Sequence, residues 1–167
     1  PGAAAARAVV DDDEADVVAN RALAAEAVLP EAELVTPYQV HSPTAVVVTK
    51  AWAWSDRPQA DAVVTDRAGL LLGIVTADCA PVLLADREAG VIGAAHAGWK
   101  GALGGVLENT VASMVQKGAD TARITAVLGP TISQQNYEVG PEFPRAFLDH
   151  SADNARFFRP SVESGHF

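Results

Sequence analysis

The stretch "PVLLADREAGVIGAAHAGWKGALGGVLENTVASMVQKG", residues 81–118, decides how this chain folds. The apolar runs Pro81–Asp86 and Val91–Ala97 flank the polar turn Arg87–Gly90, which reads as strand, turn, strand. Beyond them Leu103, Val106, Leu107, Thr110, Val111, Met114 and Val115 recur at helical spacing, and Lys117-Gly118 supplies a stop. This spacing predicts a helix that opens directly after "HAGWKG". Strands rich in Val, Ile and Leu without clean alternation are covered on both faces. The expected fold class is therefore α/β, with helices packed on a sheet.

Working outward, "AVVT" (62–65) and "LLLGIVTADC" (70–79) read as two strands around a turn at 66–69, preceded by a polar loop "SDRPQAD" (55–61). Further upstream "ELVTPYQVH" (33–41) and "TAVVVTK" (44–50) read as two strands joined at Ser42-Pro43, with His41 closing the first. A helix is predicted over Ala15–Val28. The acid run Asp11–Glu14 suits its N-terminus, and Leu29-Pro30 ends it. Downstream, "RITAVLGP" (123–130) is a strand, and "PEFPRAFLD" (141–149) a short helix with Pro141 and Glu142 in its first turn. Residues 11–167 are expected to form one domain, incomplete at both ends, after an Ala-rich start at 1–10 that carries no period.

Composition narrows the function classes. Twelve Lys and Arg against 21 Asp and Glu give a net charge of −9, which argues against a nucleic-acid partner, since phosphate neutralisation needs clustered cations. One cysteine among 167 residues cannot form an internal disulfide, so a cytoplasmic setting is the expectation. No apolar run reaches the roughly 18–20 residues of a membrane span.

His41, Cys79 and His96 each close a predicted strand and open a loop. Side chains at strand ends converge on one edge of a sheet, where α/β proteins place their sites. Two imidazoles and a thiolate form a zinc set that leaves a fourth position open, although separations of 38 and 17 residues match no zinc-finger spacing. The same residues also suit a metal-free reading, Cys79 as nucleophile and His96 or His41 as base, in a hydrolase or amidase. The plainest alternative makes Cys79 a small buried hydrophobe and His96 a core histidine. Asp78 beside Cys79 is costly to bury and points away from that alternative. His150 and His166 read as surface residues.

Gly98, Lys100 and Gly101 fall at the predicted helix N-terminus, where free N–H groups attract a phosphate or carboxylate. The alternative is a glycine pair that lets the helix pack closely. The long loop "GPTISQQNYEVGPE" (129–142) offers Tyr137 either as a pocket residue or as an anchor of the loop, and Glu138 as an anchor. Asn20 and Gln39 are amides of lower rank. Gln39 shares the predicted strand face of His41.

Taken in order, "QVHS", "TADCAPVLLAD", "GAAHAGWKG" and "GPTISQQNYEVG" resemble the YfiH/LACC1 family, long called multicopper polyphenol oxidase or laccase-domain proteins. "VVANRALAA" (17–25) is similar to an early family segment. The resemblance implies a mixed α+β, CNF1/YfiH-like fold, mixed sheets covered by helices, related to cysteine hydrolases. It implies zinc, with copper as the alternative, on His41, Cys79 and His96. The implied activity is phosphorolysis of adenosine, inosine or methylthioadenosine and deamination of adenosine. The expected partners are a purine nucleoside and phosphate, without nucleic acid or membrane, in a monomer or homodimer.

Within that reading Asp78 moves protons, Lys100 with Gly98 and Gly101 holds an anion, and Gln39 and Tyr137 line the substrate. The family's "HAGWRG" carries lysine here, which keeps the charge and loses the planar fork suited to phosphate. Other readings are a metal-independent Cys-His amidase acting on peptidoglycan precursors, a copper-dependent phenol oxidase, and a non-catalytic binding module.

Overall fold

Thirteen residues into the chain Asp13 accepts the Ala15 N–H at 3.0 Å and caps the first helix; the computed structural model describes residues 13–162 and 165–167. The Ala-rich start and Asp11–Asp12 lie outside the described residues. In chain order the elements are helix α1 (Glu14–Val28), strands β1 (Glu33–Val35), β2 (Ala45–Val47), β3 (Ala62–Thr65), β4 (Leu70–Leu72), β5 (Ala80–Asp86) and β6 (Val91–Ala97), helices α2 (Trp99–Leu103) and α3 (Val106–Gln116), strand β7 (Thr125–Leu128) and helix α4 (Phe143–His150). Five strands form a mixed sheet in the order β2-β3-β6-β5-β7, and β1 pairs with β4 apart from it. Among the described residues no helix is long and apolar enough to cross a membrane.

The β5–β6 hairpin is the one expected from the sequence, antiparallel from Ala80↔Ala97 to Asp86↔Val91. The other two expected hairpins do not form. β1 and β2 belong to different sheets, β1 parallel to β4 and β2 parallel to β3. The N–H groups of Val40, His41 and Ser42, which a hairpin would have used, instead donate to the Asp61 carboxylate. Likewise β3 and β4 sit in separate sheets, so residues 66–69 carry the chain from one to the other. The strand expected over 70–79 stops at Leu72, and farther on the N–H and carbonyl of Val75 are both taken by the Gln39 amide, at 2.7 Å each.

The helix expected directly after "HAGWKG" is interrupted. Gly104-Gly105 ends the five-residue α2, and Gly105, at φ 91°, opens α3 in the left-handed region that favours glycine. α3 covers one face of the sheet with Val106, Thr110 and Met114 fully buried. Gly93 on β6 permits that approach: a Cβ there would lie 3.1 Å from Thr110 Cγ2 and 3.2 Å from Met114 Sδ.

The expectation of strands covered on both faces holds at the centre of the sheet only. On the face away from α3, Val63 and Ala94 pack with Val35, Val48 and Leu70, so the β1–β4 pair covers them. Leu83 and Val127, in register with Ala94 on that face, are 54% and 56% exposed. Helix α1 likewise buries no residue.

At the end of the hairpin remote from Cys79, buried Asp86 accepts from Arg123 Nη2 at 2.8 Å and from the N–H groups of Glu88, Ala89 and Asp120. Arg123 above all, and then these N–H groups, hold its carboxyl well below the usual carboxylate range. A carboxyl depressed in the folded state stabilises above its unfolded pKa of about 4, and the contribution is lost as pH falls below that value. Arg123→Met, which removes the main cause, is expected to move the acid-unfolding midpoint to higher pH in a circular-dichroism titration. An unmoved midpoint would count against this account.

Candidate metal centre

The hairpin register builds half of the site. Continued one residue beyond Ala80↔Ala97, it sets Cys79 across from Gly98, and a Cβ on Gly98 would lie 3.3 Å from Cys79 Sγ. On the other side of β6, Ala62↔Ala95 continues to Asp61 opposite His96, whose N–H donates to the Asp61 carbonyl at 2.7 Å. His41 arrives from the loop ahead of β2. Its Nε2 lies 3.9 Å from Cys79 Sγ, and its ring stands edge-on to His96 with centroids 4.8 Å apart.

The ligand atoms of His41, Cys79 and His96 all lie within 4.8 Å of one another, and they are the one such group among the described residues. Bonds of about 2.0 Å to nitrogen and 2.3 Å to sulfur put the tetrahedral ligand atoms of two histidines and one cysteine about 3.3–3.5 Å apart. A small closing of the trio therefore suffices to hold one ion. His96 is buried at 3% exposure, Cys79 is half-buried and His41 is exposed, so the group opens toward solvent on the His41 side.

Both His41 (φ 60°) and Asp78 (φ 78°) occupy the left-handed region. Histidine and aspartate tolerate it better than most residues, and such conformations gather at functional sites. Burial raises the pKa of the Cys79 thiol, and the negative charges of Asp78 and Asp61 add to the effect. Burial also pushes Asp61 upward, but hydrogen bonds from His96, Ser42 and Val40 outweigh it and hold the carboxyl low. Two carboxylates beside a half-buried thiol make a setting that favours a cation.

The remaining expected residues are placed as follows. Asp78 is exposed, and its carbonyl accepts from Thr131 Oγ1 at 2.7 Å and from the Ile132 N–H at 3.0 Å, which ties the 129–142 loop to the centre. Lys100 is exposed, its Nζ 5.5 Å from the Trp99 ring centroid. Gly98 and Gly101 fit the close-packing alternative: a Cβ on Gly98 would lie 2.6 Å from His41 Cδ2, and one on Gly101 2.9 Å from the Ser42 carbonyl oxygen. The helix they open is α2, not the long α3. Both ends of the Gln39 amide bind the backbone of Val75, at 2.7 Å each.

Tyr137 packs edge-on against Phe143. Its phenol is pushed up by burial and then by the charge of Cys79. Glu138 accepts from Ser161 Oγ, the anchoring role expected of it. His150 is exposed at the end of α4, and Asn20 is exposed on α1. His166, expected at the surface, is partly buried. Tyr137 and Phe143 also line a cavity of about 760 Å³ with Gln134, Phe158, Arg159 and Phe167.

The residue missed by the sequence reading is Asp61, the last residue of what reads as a solvated loop. Its signal was positional: a carboxylate directly before the apolar strand "AVVT" and, in an antiparallel register with β6, opposite His96.

The mixed sheet and the His–Cys–His group at its open end define a mixed α/β protein with a candidate mononuclear metal centre. The chain belongs to the family described as multi-copper polyphenol oxidoreductase laccase, whose model matches residues 5–167. It is 50% identical over 139 residues to a Streptomyces griseus protein named purine nucleoside phosphorylase ORF3, covering 82% of this chain and 56% of that one. A protein of an unknown prokaryotic organism named adenosine deaminase RL5 is 38% identical over 122 residues, covering 69% and 47%. The crystal structure of a Neisseria meningitidis protein of the DUF152 family superimposes with a TM-score of 0.81 at 36% identity, covering 96% of this chain and 63% of that one. The chain spans about half the length of the curated relatives it matches.

Proposed function

We propose that this chain carries the metal centre of a zinc-dependent purine nucleoside enzyme, acting by phosphorolysis of adenosine, inosine or methylthioadenosine and by deamination of adenosine. The observation that carries the reading is the convergence of His41, Cys79 and His96 from three separate segments. The names of the relatives, purine nucleoside phosphorylase and adenosine deaminase, supply the substrate class. An imidazole–thiolate donor set suits zinc, and a zinc ion held there supplies Lewis-acid activation of water or of a substrate atom at neutral pH.

The chain's own residues divide the remaining work. Asp78, exposed beside Cys79, moves the proton that deamination requires. Lys100 supplies a positive charge for phosphate. Tyr137 and the aromatic side chains of the 760 Å³ cavity offer ring faces to a purine base. A multicopper oxidase needs several copper ions, whereas His41, Cys79 and His96 form a single candidate group among the described residues, which favours a mononuclear centre here.

The deciding experiment is product analysis of metal-quantified protein with adenosine, with and without phosphate. About one zinc per chain, adenine released only when phosphate is present, and inosine formed without it are the expected results. Cys79→Ala is expected to lose both the metal and turnover. Full turnover by metal-stripped protein would sink the proposal and favour a Cys–His hydrolase.

A further inference from the structure

Asp61 is fully buried at the junction of two ligand-bearing segments. Its Oδ1 accepts from His96 Nδ1 at 2.8 Å and from the His41 N–H at 2.9 Å. Its Oδ2 accepts from the N–H groups of Val40 (3.2 Å) and Ser42 (2.6 Å) and from Ser42 Oγ (2.9 Å). One carboxylate therefore takes five donors, and three of them are consecutive backbone N–H groups centred on His41, a residue at φ 60°.

Building on the metal reading above, we infer that Asp61 is the positioning residue of the centre. By accepting from Nδ1 it keeps His96 in the Nδ1–H tautomer, which leaves Nε2 as the nitrogen with a free lone pair. By gathering the N–H groups of 40–42 it holds the His41 backbone in its left-handed conformation. A neutral imidazole carries one N–H and one lone pair, so a change at Asp61 decides which nitrogen can ligate.

Asparagine provides a sharp test. Its NH2 group must occupy the place of Oδ1 or of Oδ2. At Oδ2 it would meet two backbone N–H groups, neither of which can become an acceptor. At Oδ1 it meets one, and there it can donate to His96 Nδ1. The second placement is the less costly, and it forces His96 into the Nε2–H tautomer, which cannot ligate through that nitrogen.

The experiment is nitrogen-15 NMR of the histidine rings in metal-free protein at about pH 8, where an ordinary imidazole is neutral, joined to a zinc competition titration. Expected are an Nδ1–H tautomer for His96 in the wild type, an Nε2–H tautomer in Asp61→Asn, and a zinc affinity lowered about 10–100-fold in the variant. An Nε2–H tautomer in the wild type, or wild-type zinc affinity in a folded Asp61→Asn, overturns the inference. Should the variant fail to fold, the wild-type tautomer decides alone. An Nδ1–H tautomer in a protein that takes up no zinc fails the metal reading and supports the placement of His96 by Asp61.

Discussion

Gly98→Ala is expected to weaken sharply the zinc binding proposed for this centre and to leave the fold standing. The backbone at Gly98 is extended, φ −66° and ψ 157°, a conformation open to any residue, so the glycine is not there for conformational freedom. It is there because its missing side chain is the space in which the ligands meet: a Cβ would lie 2.6 Å from His41 Cδ2 and 3.3 Å from Cys79 Sγ. The first distance is well inside van der Waals contact, and because the backbone of residues 40–42 is held by Asp61 while the His41 ring is exposed, the ring relieves it by swinging toward solvent and away from Cys79. Zinc affinity is expected to fall by about 10–100-fold, as for disruption of a ligand's supporting contacts. The metal-free protein should melt within about 3 °C of the wild type, because losing a glycine also lowers the entropy of the unfolded chain. Competition titration and a thermal melt check both halves. Wild-type zinc affinity would refute the close approach of Gly98 to His41.

Some of this was legible from the residues and some was not, for physical reasons. The β5–β6 hairpin is local: its strands are joined by a four-residue turn, and contacts so near in sequence leave their mark in the pattern. The pairings β1–β4 and β2–β3 are parallel and join distant segments, so no pattern within either strand discloses its partner. A hairpin of β1 and β2 is what proximity predicts when register is silent. The interruption at Gly104-Gly105 was masked by apolar spacing that continues across it from Leu103 to Val106. The candidate ligands are readable as residue types, two histidines and a lone cysteine at strand ends. Asp61 is not, because a carboxylate in "SDRPQAD" looks solvated until the β3–β6 register places it against His96. The two glycines of "GWKG" leave an anion site and close packing both open in the sequence for the same reason, since the contact at each glycine is unknown before its neighbour is.

Met114→Ala is expected to produce the largest loss of stability. Met114 is fully buried, and it packs from α3 onto Val64, Val82, Leu84 and Val91 from the sheet and Ala119 from the following turn. Truncation of a buried methionine costs about 2–5 kcal/mol, and the upper half of that range applies where the surroundings cannot close the void. Here they cannot close it readily. Met114 Sδ already lies so near the β6 backbone that a Cβ on Gly93 would be only 3.2 Å away, and neither the strand nor the helix can move without opening the Val106 and Thr110 contacts. A loss of about 4 kcal/mol from a total of about 5–15 kcal/mol would leave the metal-free variant marginal, measured by urea unfolding with an unchanged denaturant slope. Because His96 lies three residues along β6 from Gly93, and its placement comes from Asp61 rather than from α3, zinc affinity well below the melting temperature should stay near the wild-type value. Zinc should then raise the melting temperature of the variant, since a ligand that binds only the folded state stabilises it by mass action. A cost below about 1 kcal/mol would show that α3 settles onto the sheet after all. A large loss of zinc affinity in the folded variant would show that the centre depends on the α3 packing and not on the Asp61 network alone.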